Sequence, residues 1–165
     1  GVAAMRWRLN GSAWQQDDGA VLPLTLGGGT YTLDYAAVDN VGNIEPYRTM
    51  QFTIDASAPS SSITSATVQP SGVIRLDLAA NDTASGVREV EISVRDQADG
   101  TWRVWTTTNQ TFAIFFGTPG HSYDFRVRAT DNVGNREAVH AGVDASATTP
   151  LLTTFTYSYV PLVQR

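Results

Sequence analysis

Hydrophobic and polar residues alternate with a period of two along most of this chain. In residues 123–129, Tyr123, Phe125 and Val127 fall on one face, and Arg126 and Arg128 fall on the other. Residues 3–9, 31–37, 73–80 and 88–95 follow the same pattern. This period is typical of half-buried β-strands, and no stretch has a sustained helical period.

The alternation and the turn residues between runs predict an all-β fold, an antiparallel Greek-key β-sandwich. Short strands are expected every 8–12 residues, with Gly, Pro and Asn at the turns. In the second half of the chain the predicted strands are residues 61–68, 73–80, 88–95, 102–106, 111–116, 122–130 and 136–144.

An internal repeat indicates how the chain is organised. Asp-Asn-Val-Gly-Asn occurs at residues 39–43 and again at 131–135, and the strands before each copy also match. Residues 1–14 resemble residues 86–102 in the same order. Two copies of one module of about 90 residues explain the pattern. The predicted domains are residues 1–58, residues 59–149 and a C-terminal segment of residues 150–165.

The first copy starts at Gly1, the counterpart of Gly86 in the second. We therefore expect the residues of this copy to lack the first two strands of the module. A sandwich without those strands is expected to have an open edge and an uncovered core face.

The second copy resembles fibronectin type III and bacterial immunoglobulin-like domains. The resemblance rests on Pro-Gly-x-x-Tyr-x-Phe-x-Val-x-Ala-x-Asp-x-x-Gly at residues 119–134 and on Ala-Ser-Gly-Val-Arg-Glu-Val-Glu-Ile-Ser-Val at 84–94. It implies tandem sandwiches of a secreted or cell-surface bacterial protein. Such sandwiches carry many different roles, so the resemblance points to a fold more than to a function.

Residues 151–163, Leu-Leu-Thr-Thr-Phe-Thr-Tyr-Ser-Tyr-Val-Pro-Leu-Val, are apolar, β-branched and aromatic, and belong to neither repeat. We expect this segment to add as a strand to an incomplete first module, that of a neighbouring chain, which would give a strand-exchange dimer. The alternatives are a linker to a further domain and packing on its own module.

Charge and composition exclude several classes of partner and site. The net charge is −5 and the basic residues form no stripe, which disfavours nucleic acid and anionic membrane surfaces as partners. No apolar run reaches the roughly 18–20 residues of a membrane span. With no cysteine, the chain has neither disulfides nor thiolate metal sites.

The only two histidines, His121 and His140, match no catalytic motif. No Ser, His and Asp arrangement indicates a triad. We therefore expect a protein that is not an enzyme.

Two interpretations of the repeated Asp-Asn-Val-Gly-Asn loop remain open. In the first, the loop is a turn, in which the Asp131 carboxylate accepts backbone N–H groups and Gly134 supplies a positive φ. In the second, the loops at one pole of the sandwich bring Asp55, Asp82, Asp131 and Asn135 together as a calcium site, because calcium takes six to eight oxygen ligands.

Trp102 and Trp105 are three positions apart and should lie on opposite faces of one strand. We expect one to be in the core and Trp105 to be the candidate for ligand binding, with Tyr47 and Tyr157 as further exposed aromatic residues of a sugar platform.

The predicted function is that of an extracellular spacer, stalk or accessory module beside other domains of a larger parent protein. The alternative is a module that binds carbohydrate or another cell-surface ligand. No cofactor other than calcium is expected.

Overall fold

The computed structural model describes residues 1–18 and 24–151, and it divides the chain into two compact units, Gly1–Ser57 and Ala58–Arg165. The described residues contain no helix, and hence none that is long and apolar enough to span a membrane. The prediction of residues 151–163 as an added strand lies, except for Leu151, outside the described residues.

The second unit is a sandwich of two antiparallel sheets. One sheet has the order β5-β6-β9 and the other the order β11-β10-β7-β8. The strands are β5 (Ser60–Val68), β6 (Val73–Asn81), β7 (Val87–Asp96), β8 (Arg103–Thr108), β9 (Phe112–Phe116), β10 (Ser122–Asp131) and β11 (Ala145–Thr148). The predicted all-β antiparallel sandwich is thus confirmed.

The core of the second unit is built from the alternating side chains predicted from sequence. Ile74, Leu76 and Leu78 of β6 face Val90, Ile92 and Val94 of β7 and Tyr123, Phe125, Val127 and Ala129 of β10. The half-buried Phe115 of β9 lies edge-on to Tyr123 and Phe125, with ring centroids 4.9 and 5.3 Å away. Burying this apolar surface is the main favourable term in the folding of the unit.

One strand of the second unit was predicted wrongly. The last strand was expected at residues 136–144, but β11 comprises Ala145–Thr148. Residues 136–144 form no strand: an isolated bridge joins Arg136 to Thr130, and single backbone hydrogen bonds run from Glu137 N to Ala129 O and from Asp144 N to Phe125 O. The reason is a set of side-chain acceptors in this segment, described below.

The first unit is a single sheet of four antiparallel strands in the order β2-β1-β3-β4. The strands are β1 (Val2–Leu9), β2 (Gln15–Asp17), β3 (Gly29–Asp39) and β4 (Arg48–Ile54). No second sheet covers it within the described residues of this unit, 1–18 and 24–57.

The central strand pair has the same register in both units. Trp7 lies opposite Tyr35 in the first unit, and Ile92 lies opposite Val127 in the second. The offset is 85 residues in the first strand of each pair (92 − 7) and 92 in the other (127 − 35). The neighbouring pairs, Met5 with Ala37 and Val90 with Ala129, obey the same offsets.

We call one surface of the first unit the apolar face. Its apolar members point to the same side of the sheet by register, and they are Met5, Trp7, Leu9, Tyr31, Leu33, Tyr35, Ala37, Met50 and Phe52. Gln15, Asp17 and Arg48 lie on the same side at its two edges. Trp7 is buried and its indole N–H has no hydrogen-bond partner. Met50 is 48% exposed, and the other apolar members are half-buried.

Candidate functional site

The Asp131 carboxylate organises the loop that follows β10. Its Oδ1 accepts the backbone N–H groups of Val133, Gly134 and Asn135 at 3.0, 2.6 and 2.8 Å. Its Oδ2 accepts the Asn135 side-chain amide at 2.7 Å. Gly134 has a φ of 102°, in the left-handed region that favours glycine. Asp131, Gly134 and Asn135 therefore each stabilise the turn.

The first copy of the motif is built in the same way. Asp39 Oδ1 accepts the N–H groups of Val41 and Asn43, each at 2.9 Å, and Oδ2 accepts the Asn43 amide at 2.8 Å. Gly42 has a φ of 90°. The two loops of equal sequence thus share most of their hydrogen bonds, except that the Gly42 N–H donates to the Asp39 backbone carbonyl.

Asp82 holds the neighbouring loop at the same pole of the second unit. Its Oδ2 accepts the N–H groups of Ala84, Ser85 and Gly86 at 3.1, 2.8 and 2.7 Å. The Asn132 side chain donates to the Ser85 and Gly86 carbonyls, which joins this loop to the Asp131 loop. Carboxylate oxygens of Asp82 and Asp131 lie within 4.8 Å of each other.

Of the four residues predicted to bind calcium, the second unit brings Asp82, Asp131 and Asn135 to one pole. Asp55 belongs to the first unit, where its carboxylate accepts the Ser57 N–H at 2.9 Å. The hydrogen bonds of the loops account for the positions of these side chains without an ion, and the calcium site stays a prediction.

The electrostatics of the Asp131 loop follow from its hydrogen bonds. Burial raises the pKa of Asp131, but the Asn135 amide and the three backbone N–H groups outweigh it, so that the pKa lies below its usual value. Hydrogen bonds from Asn43 likewise lower the pKa of Asp39. Both loops therefore carry ionised carboxylates at neutral pH.

A second set of acidic side chains replaces part of the edge ladder of β10. The Ala129 N–H donates to Glu137 Oε2 at 2.9 Å, and the Val127 N–H donates to Asp144 Oδ2 at 2.7 Å. His140 lies between the two acids, with Nε2 3.1 Å from Glu137 Oε1 and Nδ1 2.7 Å from Asp144 Oδ1. These acceptors satisfy backbone donors that a neighbouring strand would otherwise bind.

Glu137 also holds β5 through its carboxylate. It accepts the Ser61 N–H at 2.9 Å and the Ser61 hydroxyl at 2.5 Å. No role was predicted for Glu137, although the repeat contained a signal. Each motif is followed by Glu after one residue, and Glu45 of the first unit accepts the Ala37 N–H at 3.0 Å.

The tryptophans lie on opposite faces of the sheet, as predicted. Trp105 is half-buried against the core, edge-on to Phe115 with ring centroids 5.0 Å apart. Trp102 lies on the other face, where the guanidinium groups of Arg95 and Arg126 are 4.8 and 4.4 Å from its ring. A cleft of about 120 Å³ borders Trp102 and Arg126. Ligand binding by Trp105 stays a prediction, and it would need the ring to leave the core.

The first unit has an aromatic cleft of about 210 Å³ beside Trp14 and Tyr47. The two rings meet edge-on at 5.9 Å, and Tyr47 is 58% exposed. The Arg8 guanidinium lies 4.8 Å from the Trp14 ring, and Arg6 and Glu45 line the cleft. Trp14, the sequence counterpart of Trp102, is thus also covered by arginine.

The histidines both pair with carboxylates. His121 Nδ1 lies 2.6 Å from Asp96 Oδ2 at the end of β7, and His140 lies between Glu137 and Asp144 as described above. Within the described residues neither imidazole bonds to a serine hydroxyl; the Ser61 hydroxyl near His140 donates to Glu137 instead.

Comparison with known proteins adds a structural neighbour. No family model matches the chain, and no curated protein matches it. Among solved structures, one described as the fibronectin(III)-like modules of Clostridium thermocellum CbhA is similar at 16% identity and a TM-score of 0.45. The match covers 96% of this chain and 84% of that one.

Replacing Asp131 by Asn tests the turn. The amide N–H₂ group introduced by this change would face hydrogen-bond donors of the loop. Some of those donors would then have no acceptor. We expect the melting temperature of the second unit to fall by roughly 5–10 °C. The exposed Asp18→Asn is the control and should melt as the parent does. Equal melting temperatures for all three proteins would show that the hydrogen bonds of Asp131 are dispensable.

Replacing His140 by Gln tests its contacts with Glu137 and Asp144. Hydrogen bonds to these two acids raise the pKa of His140 above its ordinary 6.5, against the lowering by burial. The stabilisation is therefore complete below the unfolded pKa and is lost as pH rises through the folded pKa. We expect His140→Gln to destabilise the second unit more at about pH 5.5 than at about pH 9 in denaturant titrations.

At about pH 5.5 Glu137 remains ionised: burial raises its pKa, but hydrogen bonds from Ser61 and the Ala129 N–H hold it below its usual 4.5. A penalty for His140→Gln that is equal at both pH values would contradict a charged His140 between the acids.

Proposed function

We propose that this chain is a non-catalytic β-sandwich region that serves as a spacer, stalk or accessory module of a larger secreted or cell-surface protein. One observation carries the proposal: the aspartate carboxylates of the repeated loops accept hydrogen bonds from backbone N–H groups of their own unit. Groups used in this way hold strands and turns in place, which is the work of a structural module.

The histidines support the same proposal. His140 is held by two carboxylates that themselves cap β10, so its contacts serve the edge of the sandwich. An enzyme would need titratable groups that converge on a deep pocket and face a substrate. The clefts described above are small and are bordered by side chains already engaged in pairs.

The extracellular location rests on the resemblance of the strand and loop motifs to immunoglobulin-like repeats of bacterial surface and secreted proteins. The partners proposed on this basis are the other domains of the parent protein.

The alternative function is a binding module for carbohydrate or another surface ligand. The Trp14 and Tyr47 cleft favours it, because an exposed aromatic ring beside Arg6 and Glu45 offers both a stacking surface and polar groups. This cleft is a better candidate than Trp105, whose ring packs against the core.

A polysaccharide and glycan binding screen of the whole chain separates the two functions. A spacer should give no retention above that of an unrelated β-sandwich. Retention that is lost in Tyr47→Ala and kept in Val41→Ala, an exposed residue of the neighbouring loop, would instead establish the binding module at this cleft.

Melting curves in calcium and in chelator test the calcium site. Because Asp82 and Asp131 already bind the N–H groups of their loops, we expect the second unit to fold in chelator. Binding of calcium would appear as a higher melting temperature in calcium that Asp82→Asn abolishes. Identical curves in calcium and chelator would remove Asp55, Asp82, Asp131 and Asn135 as a calcium site.

A further inference from the structure

The outer edge of β9 is the least protected edge among the described strands of the second unit. β9 (Phe112–Phe116) pairs with β6 on one side, and no described strand of this unit pairs with its other side. We propose that this edge pairs antiparallel with β9 of a second copy of the chain, so that two three-stranded sheets become one continuous sheet. The proposal goes beyond a spacer, because it gives the chain a specific partner and a means of assembly.

The backbone of β9 presents alternate residues to this edge. The Leu78 N–H donates to the Thr111 carbonyl at 2.8 Å, which makes these two residues a hydrogen-bonded pair of the ladder between β6 and β9. Hydrogen-bonded pairs alternate along an antiparallel ladder, so the N–H and C=O groups of every second residue point to β6. Those of Phe112, Ile114 and Phe116 point away from β6 and have no backbone partner among the described residues.

The side chains of the same residues lie on the outer face of the sheet. Phe116 is 78% exposed and Phe112 is 39% exposed, whereas Phe115 between them packs against the core. Residues 112–116 are apolar without interruption, a composition typical of a strand that has protein on both faces. No Asp, Glu, Lys or Arg occurs from residue 104 to residue 123, so no side-chain charge of this stretch opposes a neighbouring strand.

The other edges of the second unit have features that block the addition of a strand. In β5 the Ser61 N–H is held by Glu137, and a bulge interrupts the pairing with β6. β11 has only four residues, and beyond it Asp144 caps the edge of β10 at the Val127 N–H. β8 contains a bulge and begins with the charged Arg103. β9 has none of these features, because its pairing with β6 is regular and its residues are uncharged.

A twofold axis at Ile114 gives the register of the proposed contact. The Ile114 residues of the two copies then lie opposite each other, and Phe112 of each copy lies opposite Phe116 of the other. The outward-pointing N–H and C=O groups of these residues meet at the shared edge. They can form about six backbone hydrogen bonds between the copies.

Hydrogen bonds on both sides of β9 limit the contact to this strand. In the proposed register the next outward-facing pair would be Gln110 with Thr118. Their N–H groups already donate to the Thr108 hydroxyl at 3.0 Å and to the Tyr123 hydroxyl at 2.9 Å. Registers centred on another residue would pair fewer of the free groups of β9, so the axis at Ile114 is favoured.

Aromatic contacts across the shared edge would stabilise the same register. Opposite residues of a sheet have Cβ atoms about 5 Å apart, so Phe112 of one copy would contact Phe116 of the other. The Arg75 guanidinium lies 4.2 Å from the centre of the Phe112 ring and pairs with Asp77 at 2.8 Å, so its charge is balanced. The contact would bury roughly 1,000 Å² in total, the size of a weak interface, and we expect a dissociation constant on the order of micromolar.

Analytical ultracentrifugation of the whole chain across the micromolar range tests the pairing. We expect a reversible dimer whose fraction rises with concentration. Ile114→Lys places like charges opposite each other at the axis and should weaken the association at least about 10-fold. Ser62→Lys, at an exposed position on the outer face of β5, is the matched control and should associate as the parent does. A parent that stays monomeric, or an Ile114→Lys chain that associates like the parent, would overturn the proposal.

Phe116→Ala separates association from folding. Because Phe116 is mostly exposed, its removal should leave the melting temperature of the diluted chain unchanged. Both aromatic contacts of the dimer include this side chain, so the association should weaken by about 10-fold. A Phe116→Ala chain that melts and associates as the parent does would contradict the proposed contact.

Cysteine cross-linking tests the register, and the chain has no native cysteine. An Ile114→Cys chain should form a disulfide-linked dimer on mild oxidation, because the Cα atoms of a hydrogen-bonded pair lie about 5.5 Å apart. A Phe112→Cys chain mixed with a Phe116→Cys chain should also link. Phe112→Cys alone should not, since its two cysteines would lie about 13 Å apart along the paired strands. No link through Ile114→Cys, or equal linking of Phe112→Cys with itself, would overturn the proposal.

Discussion

The register of one antiparallel strand pair determines most of this structure. Ile92 opposite Val127 in the second unit, and Trp7 opposite Tyr35 in the first, fix which side chains share a face. A slip of one residue would turn every apolar side chain of the strand to the other side. The Asp131 and Asp39 loops end the second strand of each pair at equivalent positions and so help to hold that register. The hydrogen bonds of the loops and the packing of the core therefore both depend on the register of this strand pair.

The same constraint has different consequences in the two units. In the second unit the apolar side of the pair meets β6 and β9, and its residues are buried almost completely. In the first unit the pair presents an equivalent set of side chains, and the described strands of that unit provide no cover.

Much of the fold could be predicted because it depends on local patterns. Period-two alternation located strands β5 to β10, and the repeat located the closing loops. The pole that gathers Asp82, Asp131 and Asn135 followed from the order of strands in a sandwich. The faces of Trp102 and Trp105 were predicted to differ, but alternation alone does not say which one faces the core. That depends on the pairing of β8 with β7, where a bulge between Ile92 and Ser93 shifts the register.

The last strand shows why some features could not be predicted. Leu33 of β3 and Phe125 of β10 are equivalent positions of the two units. Leu33 pairs with Met50, and Phe125 pairs with Ala145. The connection from Glu45 to Met50 is five residues (50 − 45), whereas that from Glu137 to Ala145 is eight (145 − 137). The first unit therefore begins its ladder at Arg48, as a hairpin pattern predicts.

In the second unit the three additional residues let the chain leave the edge of the sheet. The strand ladder is interrupted there, and the N–H group of Val127 needs another acceptor because a buried donor without one is costly. Asp144 provides it, whereas Glu137 binds the Ala129 N–H just as Glu45 binds the Ala37 N–H in the first unit. His140 lies between the two acids and offsets their mutual repulsion. The alternation of apolar and polar residues could not predict these hydrogen bonds, because the donors are backbone atoms and the acceptors lie in a segment without strand structure. A short insertion beside a motif that ends in Glu, together with a His and an Asp, is the signal that could have revealed it.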